Sequence, residues 1–127
     1  MKLLLDTHIF LWFISGDVRL SDPLRQIIRD PENDVYLSVV SIWEVIIKHG
    51  LGKLFLPEPP EIYLQRQRGL HLIQSLPVGE ASVAQLSKLP LLHRDPFDRM
   101  LICQALQYDL TIATIDNAIR AYPVPVS

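Results

Sequence analysis

The sequence predicts an α/β fold in which short parallel strands alternate with helices that cover both faces of a sheet. Apolar segments of four or five residues, bounded by polar or turn-forming residues, are typical of buried strands. Longer segments with helix-start signals lie between them, so strand and helix alternate along the chain. A length of 127 residues suits one hydrophobic core, and we therefore expect a single domain spanning residues 1–127.

Local start and stop signals divide the chain into elements. Ser21-Asp22-Pro23 and Asp95-Pro96 are typical of helix starts, and Gly16 and Gly50 are typical of helix ends. Three prolines between residues 56 and 60 predict a loop. Strands are expected at residues 2–5, 35–39, 72–74 and 110–114, with an edge strand at 124–126; helices are expected at 8–15, 21–30, 41–49, 61–68, 80–89, 95–108 and 118–122.

Composition excludes several classes of protein. Hydrophobic residues make up 49% and charged residues 20%, which excludes a disordered chain, and the longest apolar run, residues 9–14, is too short to span a bilayer. The single cysteine, Cys103, excludes an internal disulfide and is expected to be a buried thiol. The apolar start of the chain meets Asp6 and has no small-residue cleavage site, so we expect a cytoplasmic protein.

Four acidic residues from distant parts of the chain are expected at one edge of the sheet. Asp6 follows the first strand and Asp116 lies two residues beyond a later one. Glu44 and Asp98 lie in the first turns of predicted helices. Because ligands of open parallel sheets collect beyond the carboxyl ends of the strands, these side chains form a candidate site.

Glu44 and Asp98 also have ordinary structural explanations. Residues 41–44 have the form of a capping box, and Glu44 stands four residues before Lys48, the favourable order for a helical ion pair. Asp98 is three residues after Asp95, where a helix start favours negative charge. Metal binding and these structural roles are compatible, and both remain open at this point.

Grouped carboxylates favour a divalent cation. Two carboxylates about 4 Å apart repel by about 4 kcal/mol at an effective dielectric constant of about 20, so a group of four must bind protons or cations. Oxygen ligands without thiolates suit Mg²⁺ or Mn²⁺. The net charge of −2 does not indicate nucleic-acid binding; without the four acids, 12 basic and 10 acidic residues leave +2, which permits it.

Four sequence blocks resemble the PIN-domain family, and within it the VapC-like toxin ribonucleases of type II toxin–antitoxin systems. They are LLDTH at residues 4–8, SIWE at 41–44, HRDPFDR at 93–99 and ATID at 113–116. The resemblance runs from the first strand to the final helix, with the blocks in the family order. It implies a three-layer α/β/α domain with a mainly parallel sheet, a Mg²⁺/Mn²⁺ centre and endonucleolytic cleavage of RNA.

The resemblance also assigns roles and partners. It implies a homodimer and a small cognate antitoxin. Asp95 and Asp98 both suit the third acid; we prefer Asp98, because an apolar helix follows it closely, and leave Asp95 as the N-cap or a supporting residue. The implied metal ligands are Asp6, Glu44, Asp98 and the more variable Asp116, with Thr7 and Thr114 as hydroxyl groups near the centre.

Basic and aromatic residues near these blocks are candidates for RNA contacts. Arginine suits phosphate, although either arginine could instead pair with an acid. Trp12 and Trp43 are interpreted as core or dimer-surface aromatics, with base stacking as the less favoured alternative. The candidate RNA-binding residues are Arg94, Arg99, Lys48 and Lys53.

Three other functions compete with a ribonuclease. A phospho-acceptor receiver domain needs paired acids near the first strand and a late lysine, but Asp6 stands alone and no lysine follows Lys88. A non-catalytic relative with the same fold would have lost acids that are present here. A phosphatase or deoxyribonuclease with the same metal chemistry is not distinguished by the sequence.

Overall fold

The structure, a computed structural model, describes residues 1–127 and contains one four-stranded parallel sheet. The strands are β1 (Lys2–Leu5), β2 (Asp34–Ser38), β3 (Gln74–Leu76) and β4 (Thr111–Ala113). The helices are α1 (Thr7–Ser15), α2 (Asp22–Arg29), α3 (Val39–Gly50), α4 (Pro60–Leu70), α5 (Glu80–Ala84), α6 (Pro96–Tyr108) and α7 (Asn117–Arg120), with a 3₁₀ turn at Gln85–Ser87.

The strand order β3-β2-β1-β4 places β1 inside the sheet, where Leu4 lies opposite Tyr36 of β2 and Ile112 of β4. The chain leaves β1 towards β2 and β3 on one side and later returns to β4 on the other. A crevice forms beyond the carboxyl ends of strands where the strand order reverses in this way. The end of β1 is therefore the position at which a ligand site is expected. The predicted edge strand is reduced to one bridge between Val126 and Ile112.

Both faces of the sheet are buried, which confirms the predicted α/β/α architecture. Alternate residues of β1 point to opposite faces, so Leu3 and Leu5 belong to one core and Leu4 to the other. The first core includes Phe10 of α1, and the second includes Ile102 of α6. Cys103 is buried in α6, as predicted. None of the helices combines the length and apolar character needed to cross a lipid bilayer.

Most element boundaries shift by one or two residues from the prediction, and three elements differ in where they start or in how far they stay regular. The helix expected to start at Ser41 starts at Val39, because the hydroxyl of Ser38 accepts a hydrogen bond from the Val40 N–H and caps it. The strand expected at 72–74 begins at Gln74, because Leu72 lies in a left-handed turn (φ 56°) after α4. The helix expected at 80–89 is regular only to Ala84 and continues as the 3₁₀ turn.

Candidate active site

Asp6 is buried where β1 passes into α1. It occupies the N-cap position of α1, but its side chain makes no capping hydrogen bond. Instead its Oδ2 accepts a hydrogen bond of 2.8 Å from the hydroxyl of Thr114, at the end of β4. Burial raises the pKa of Asp6, and the Thr114 hydrogen bond only partly offsets that effect. Helix capping therefore does not explain the position of the Asp6 carboxylate.

Glu44 is buried on α3 between a hydroxyl and an ammonium group. Its Oε1 accepts a hydrogen bond of 2.8 Å from Thr7, and its Oε2 lies 2.5 Å from Nζ of Lys48. The ion pair that the sequence suggested is therefore present. The capping box is not, because Ser41 lies inside the helix and its oxygen is 2.8 Å from the Thr7 hydroxyl. Thr7 thus connects the start of α1 to the acid on α3.

Asp98 lies in the first turn of α6 and is largely buried. Its Oδ2 is 3.2 Å from Nε2 of His93. Burial first, and then the negative charges of Asp95 and Asp6, raise the pKa of Asp98 to about 7; the His93 hydrogen bond opposes this rise and the charge of Asp116 adds to it. Asp95 is the N-cap of α6, because its Oδ1 accepts from the N–H groups of Phe97 and Asp98.

Asp116 begins α7, and its Oδ1 accepts a hydrogen bond of 2.9 Å from the Ala118 N–H. Its own N–H donates to the hydroxyl of Thr114, the group that contacts Asp6. The charge of Asp116 acts on both Asp6 and Asp98. Three acids from β1, α6 and the end of β4 thus share one region, and Thr7 and Lys48 connect Glu44 to it.

The four carboxylates do not form a closed set of ligands. No group of three or more His, Cys, Asp or Glu side chains in the chain is arranged to hold one metal ion. Each of the four acids instead has a partner in the protein. Asp6 contacts Thr114, and Glu44 contacts Thr7 and Lys48. Asp98 contacts His93, and Asp116 contacts the start of α7. The chemistry of the donor set nevertheless fits a divalent cation, because buried carboxylates of raised pKa lack compensating positive charge.

Lys48 is the one cation paired with this acidic group. Burial lowers the pKa of Lys48, but the hydrogen bond and charge of Glu44, with the charges of Asp95 and Asp98, outweigh it and raise the pKa. Lys48 and Lys53 line a small cleft beside Thr7. Both lysines therefore border one cleft, and Lys48 links it to Glu44.

Arg94 and Arg99 line a separate, apolar groove. Neither forms the ion pair with an acid that the sequence allowed. Arg94 is exposed, whereas Nη1 of Arg99 donates to the carbonyl of Pro90 and to the hydroxyl of Tyr122. The four candidate basic residues thus form two pairs, each lining a different cleft.

No local sequence pattern indicates the contact between His93 and Tyr122 beside Asp98. The Tyr122 hydroxyl lies 2.8 Å from Nδ1 of His93 and accepts hydrogen bonds from the backbone N–H groups of Leu92 and His93. This network orients the imidazole whose other nitrogen contacts Asp98. A separation of 29 residues between the partners leaves no local pattern to reveal it.

Comparison with known proteins gives one family match and several similar structures. Residues 3–125 match the family model of the PIN domain. A segment of 40 residues is 45% identical to ribonuclease VapC16 of Mycobacterium tuberculosis (strain ATCC 25618 / H37Rv), covering 32% of this chain and only 28% of that protein.

Two solved structures share the fold over nearly the whole chain. The structure of VapBC2 from Rickettsia felis, bound to a DNA fragment from their promoter, has a TM-score of 0.68 and 15% identity, covering 100% of this chain and 98% of that one. FitAcB from Neisseria gonorrhoeae has a TM-score of 0.61 and 23% identity, covering 98% and 95%. At these identities the likeness establishes the architecture alone.

Proposed function

Because the chain belongs to the PIN-domain family, we propose that it is an endoribonuclease that uses Mg²⁺ or Mn²⁺ held by Asp6, Glu44, Asp98 and Asp116. One observation carries the proposal: Asp98 is buried near other carboxylates, and its burial, together with the charges of Asp95 and Asp6, raises its pKa to about 7. A protein that needed this residue only to start a helix would have no reason to bury it there. A bound cation would remove that repulsion.

The chain's own residues would orient the reacting groups. When bound, a divalent ion would supply positive charge to the scissile phosphate and lower the pKa of a water molecule. Thr114 fixes Oδ2 of Asp6 and leaves the other oxygen without a side-chain partner. Thr7 fixes one oxygen of Glu44, and the Asp95 cap holds the α6 turn that carries Asp98. Hydroxyl and backbone groups thus position three of the four acids.

RNA would cross the acidic group from one basic pair to the other. Lys48 and Lys53 lie on the α1–α3 side, and Arg94 and Arg99 lie on the α6 side. Phosphates on either side of the scissile bond would contact these cations. This arrangement lets a chain of net charge −2 bind a polyanion locally.

We further propose that the protein is the toxin of a type II toxin–antitoxin pair, acting as a homodimer in the cytoplasm and silenced by a small cognate antitoxin. The four sequence blocks and the architecture shared with VapBC2 and FitAcB support this. Expression of the wild type should arrest growth, and Asp98→Asn should not. Co-expression of the protein encoded by a short neighbouring gene should restore growth and yield a stable complex.

The direct test is cleavage of purified cellular RNA. The wild type should cut RNA in Mg²⁺ or Mn²⁺ but not in EDTA, and Asp6→Asn and Asp98→Asn should each lose at least about 100-fold in rate. Asp109→Asn is a matched control, since Asp109 ends the same helix α6 in a left-handed conformation that asparagine tolerates. Equal cleavage by all four proteins would refute the site. Cleavage of DNA but not RNA would refute the substrate.

A further inference from the structure

The hydroxyl of Tyr122, a buried residue that follows α7, is surrounded by hydrogen-bond donors. Its four partners are the backbone N–H of Leu92 at 3.3 Å, the backbone N–H of His93 at 3.1 Å, Nη1 of Arg99 at 3.0 Å and Nδ1 of His93 at 2.8 Å. The two backbone groups and the guanidinium can only donate. The Tyr122 oxygen therefore accepts hydrogen bonds from the segment before α6 and from α6 itself.

The hydrogen of this hydroxyl is left for the side chain of His93. A phenol hydroxyl has one hydrogen to donate, and none of the three donor groups around it can accept that hydrogen. Nδ1 of His93 is the one partner that can accept, and its distance of 2.8 Å suits a hydrogen bond. A neutral imidazole that accepts at Nδ1 carries its hydrogen on Nε2. Tyr122 thereby selects one of the two tautomers of His93.

The selected tautomer turns His93 into a hydrogen-bond donor towards Asp98. Nε2 of His93 lies 3.2 Å from Oδ2 of Asp98, and Oδ1 of Asp98 has no side-chain partner. The other tautomer would place the lone pair of Nε2 against the lone pairs of Oδ2, which is repulsive. Asp6 has the same arrangement, because Thr114 donates to its Oδ2 alone. Two acids whose charges interact thus each have one oxygen held by the protein and one left over.

We propose that His93 and Tyr122 are positioning residues: Tyr122 fixes the tautomer of His93, and the Nε2–H of His93 holds Oδ2 of Asp98 so that Oδ1 is left for the cation. The role towards the cation rests on the proposed ribonuclease function, whereas the tautomer is a property of the protein alone. Loss of a hydrogen bond that orients a metal-binding side chain weakens metal binding or activity by about 10- to 100-fold.

The first test reads the tautomer of His93 from the NMR chemical shifts of its two ring nitrogens, in metal-free protein at about pH 8.5, where an ordinary histidine is neutral. The Asp98→Asn background is used because its amide can donate or accept, so that Tyr122 alone selects the tautomer. Asp98→Asn should keep the hydrogen on Nε2, and adding Tyr122→Phe should give a mixture of tautomers. Tyr63→Phe is the matched control, since Tyr63 is on α4 and packs against the other core.

Three results of this test would overturn the proposal. They are a hydrogen on Nδ1 of His93 in the wild type, a mixture of tautomers already present in Asp98→Asn, and a spectrum that Tyr122→Phe leaves unchanged in that background.

The second test measures Mn²⁺ affinity by calorimetry in the absence of RNA. His93→Ala should weaken binding by about 10- to 100-fold, and His93→Gln by less than about threefold, because the glutamine amide can donate in place of Nε2. Tyr122→Phe should fall between these two, and Tyr63→Phe should bind as the wild type does. Equal losses in His93→Gln and His93→Ala would overturn the proposal, as would losses of affinity that follow the losses of melting temperature across all four variants.

Cleavage kinetics separate the failure of this inference from the failure of the proposed function. In His93→Ala the value of kcat at a fixed Mn²⁺ concentration should fall while the KM for RNA stays unchanged, because the lost hydrogen bond orients an acid and not the substrate. If the wild type binds no Mn²⁺ and cuts no RNA, the ribonuclease function and the positioning role both fall. If it does both, and His93→Ala keeps its Mn²⁺ affinity and kcat, only the positioning role falls.

Discussion

Replacing Asp98 by asparagine should make the metal-free protein more stable at high pH while it abolishes activity. The Asp98 carboxyl has a pKa of about 7 in the folded protein against an ordinary value of 3.8. Between these two pKa values the folded state binds more protons than the unfolded state, so the free energy of unfolding falls as the pH rises. Above about pH 7 both states are ionised at this residue, and the loss of stability has reached its full size. Asparagine carries no charge at any pH and avoids this loss.

The size of the effect follows from the two pKa values. The difference between about 7 and 3.8, at about 1.4 kcal/mol per pH unit, gives a ceiling of about 4 kcal/mol. The side chain is 13% exposed, and solvent relaxes around a charge at such a position. We therefore expect about 2 kcal/mol of relative stabilisation of Asp98→Asn at pH 8, falling to about a quarter of that at pH 4.5 and vanishing only below the unfolded pKa of 3.8.

Urea denaturation in EDTA at several pH values between 4.5 and 8 measures this difference. Subtracting the wild-type curve from the variant curve removes the contribution of titrating groups that do not interact with Asp98. Asp109→Asn should follow the wild type throughout. Adding Mg²⁺ at pH 8 should stabilise the wild type and not Asp98→Asn, because a cation that binds the folded state shifts the unfolding equilibrium. A variant no more stable than the wild type at pH 8 in EDTA would refute the charge argument.

Three further predictions concern two hydrogen bonds and one ion pair. Thr114→Val should lower the free energy of unfolding by about 1–3 kcal/mol in urea, because the buried Asp6 carboxylate loses its donor, whereas Thr114→Ser should not; equal losses would contradict this. Ser38→Ala should cost about 1 kcal/mol in the same assay, and no loss would mean that α3 is capped otherwise. Arg19→Ala should raise the pKa of Asp17 from about 2 towards 3.8 in an NMR titration, since Arg19 donates hydrogen bonds to it; this ion pair contributes stability above pH 3.8 that is lost as the pH falls through 2, so an unchanged titration would exclude the pair in solution.

The sheet was predictable because its signals are local. Lys2–Leu5 is a strand in both the prediction and the structure, since a run of leucine ended by an acid has no competing pattern. Asp95-Pro96 gave the start of α6 for the same reason. Ser41 failed as a helix start because two serines, Ser38 and Ser41, carry the same local signal. In the structure the Ser38 hydroxyl caps the helix, whereas the Ser41 hydroxyl contacts Thr7, which is 34 residues away in the sequence.

The surroundings of the acids were predictable only in part. The strand order that brings β4 beside β1 determines that Thr114 reaches Asp6, and this contact joins residues 108 positions apart. The His93–Tyr122 contact depends in the same way on how α7 returns to the sheet. Of the two roles expected of Trp43, the core role is excluded by its exposure, which depends on a groove that three separate segments form. Local patterns thus gave the candidate ligands but not their neighbours.

The burial of Asp98 near other carboxylates lowers the stability of the fold, and this cost is itself an argument for function. Elsewhere the side chains stabilise the structure around them: Ser38 caps α3, Ser21 caps α2 and the apolar residues of β1 are buried on both faces of the sheet. At Asp98 the chain buries a carboxylate among other carboxylates, although a neutral side chain of the same shape would fold better at neutral pH. Selection for folding alone would remove such a residue, so its presence requires a second constraint, and cation binding supplies one. If Asp98→Asn proves less stable than the wild type at pH 8 without metal, this cost does not exist and the acid is explained by folding alone.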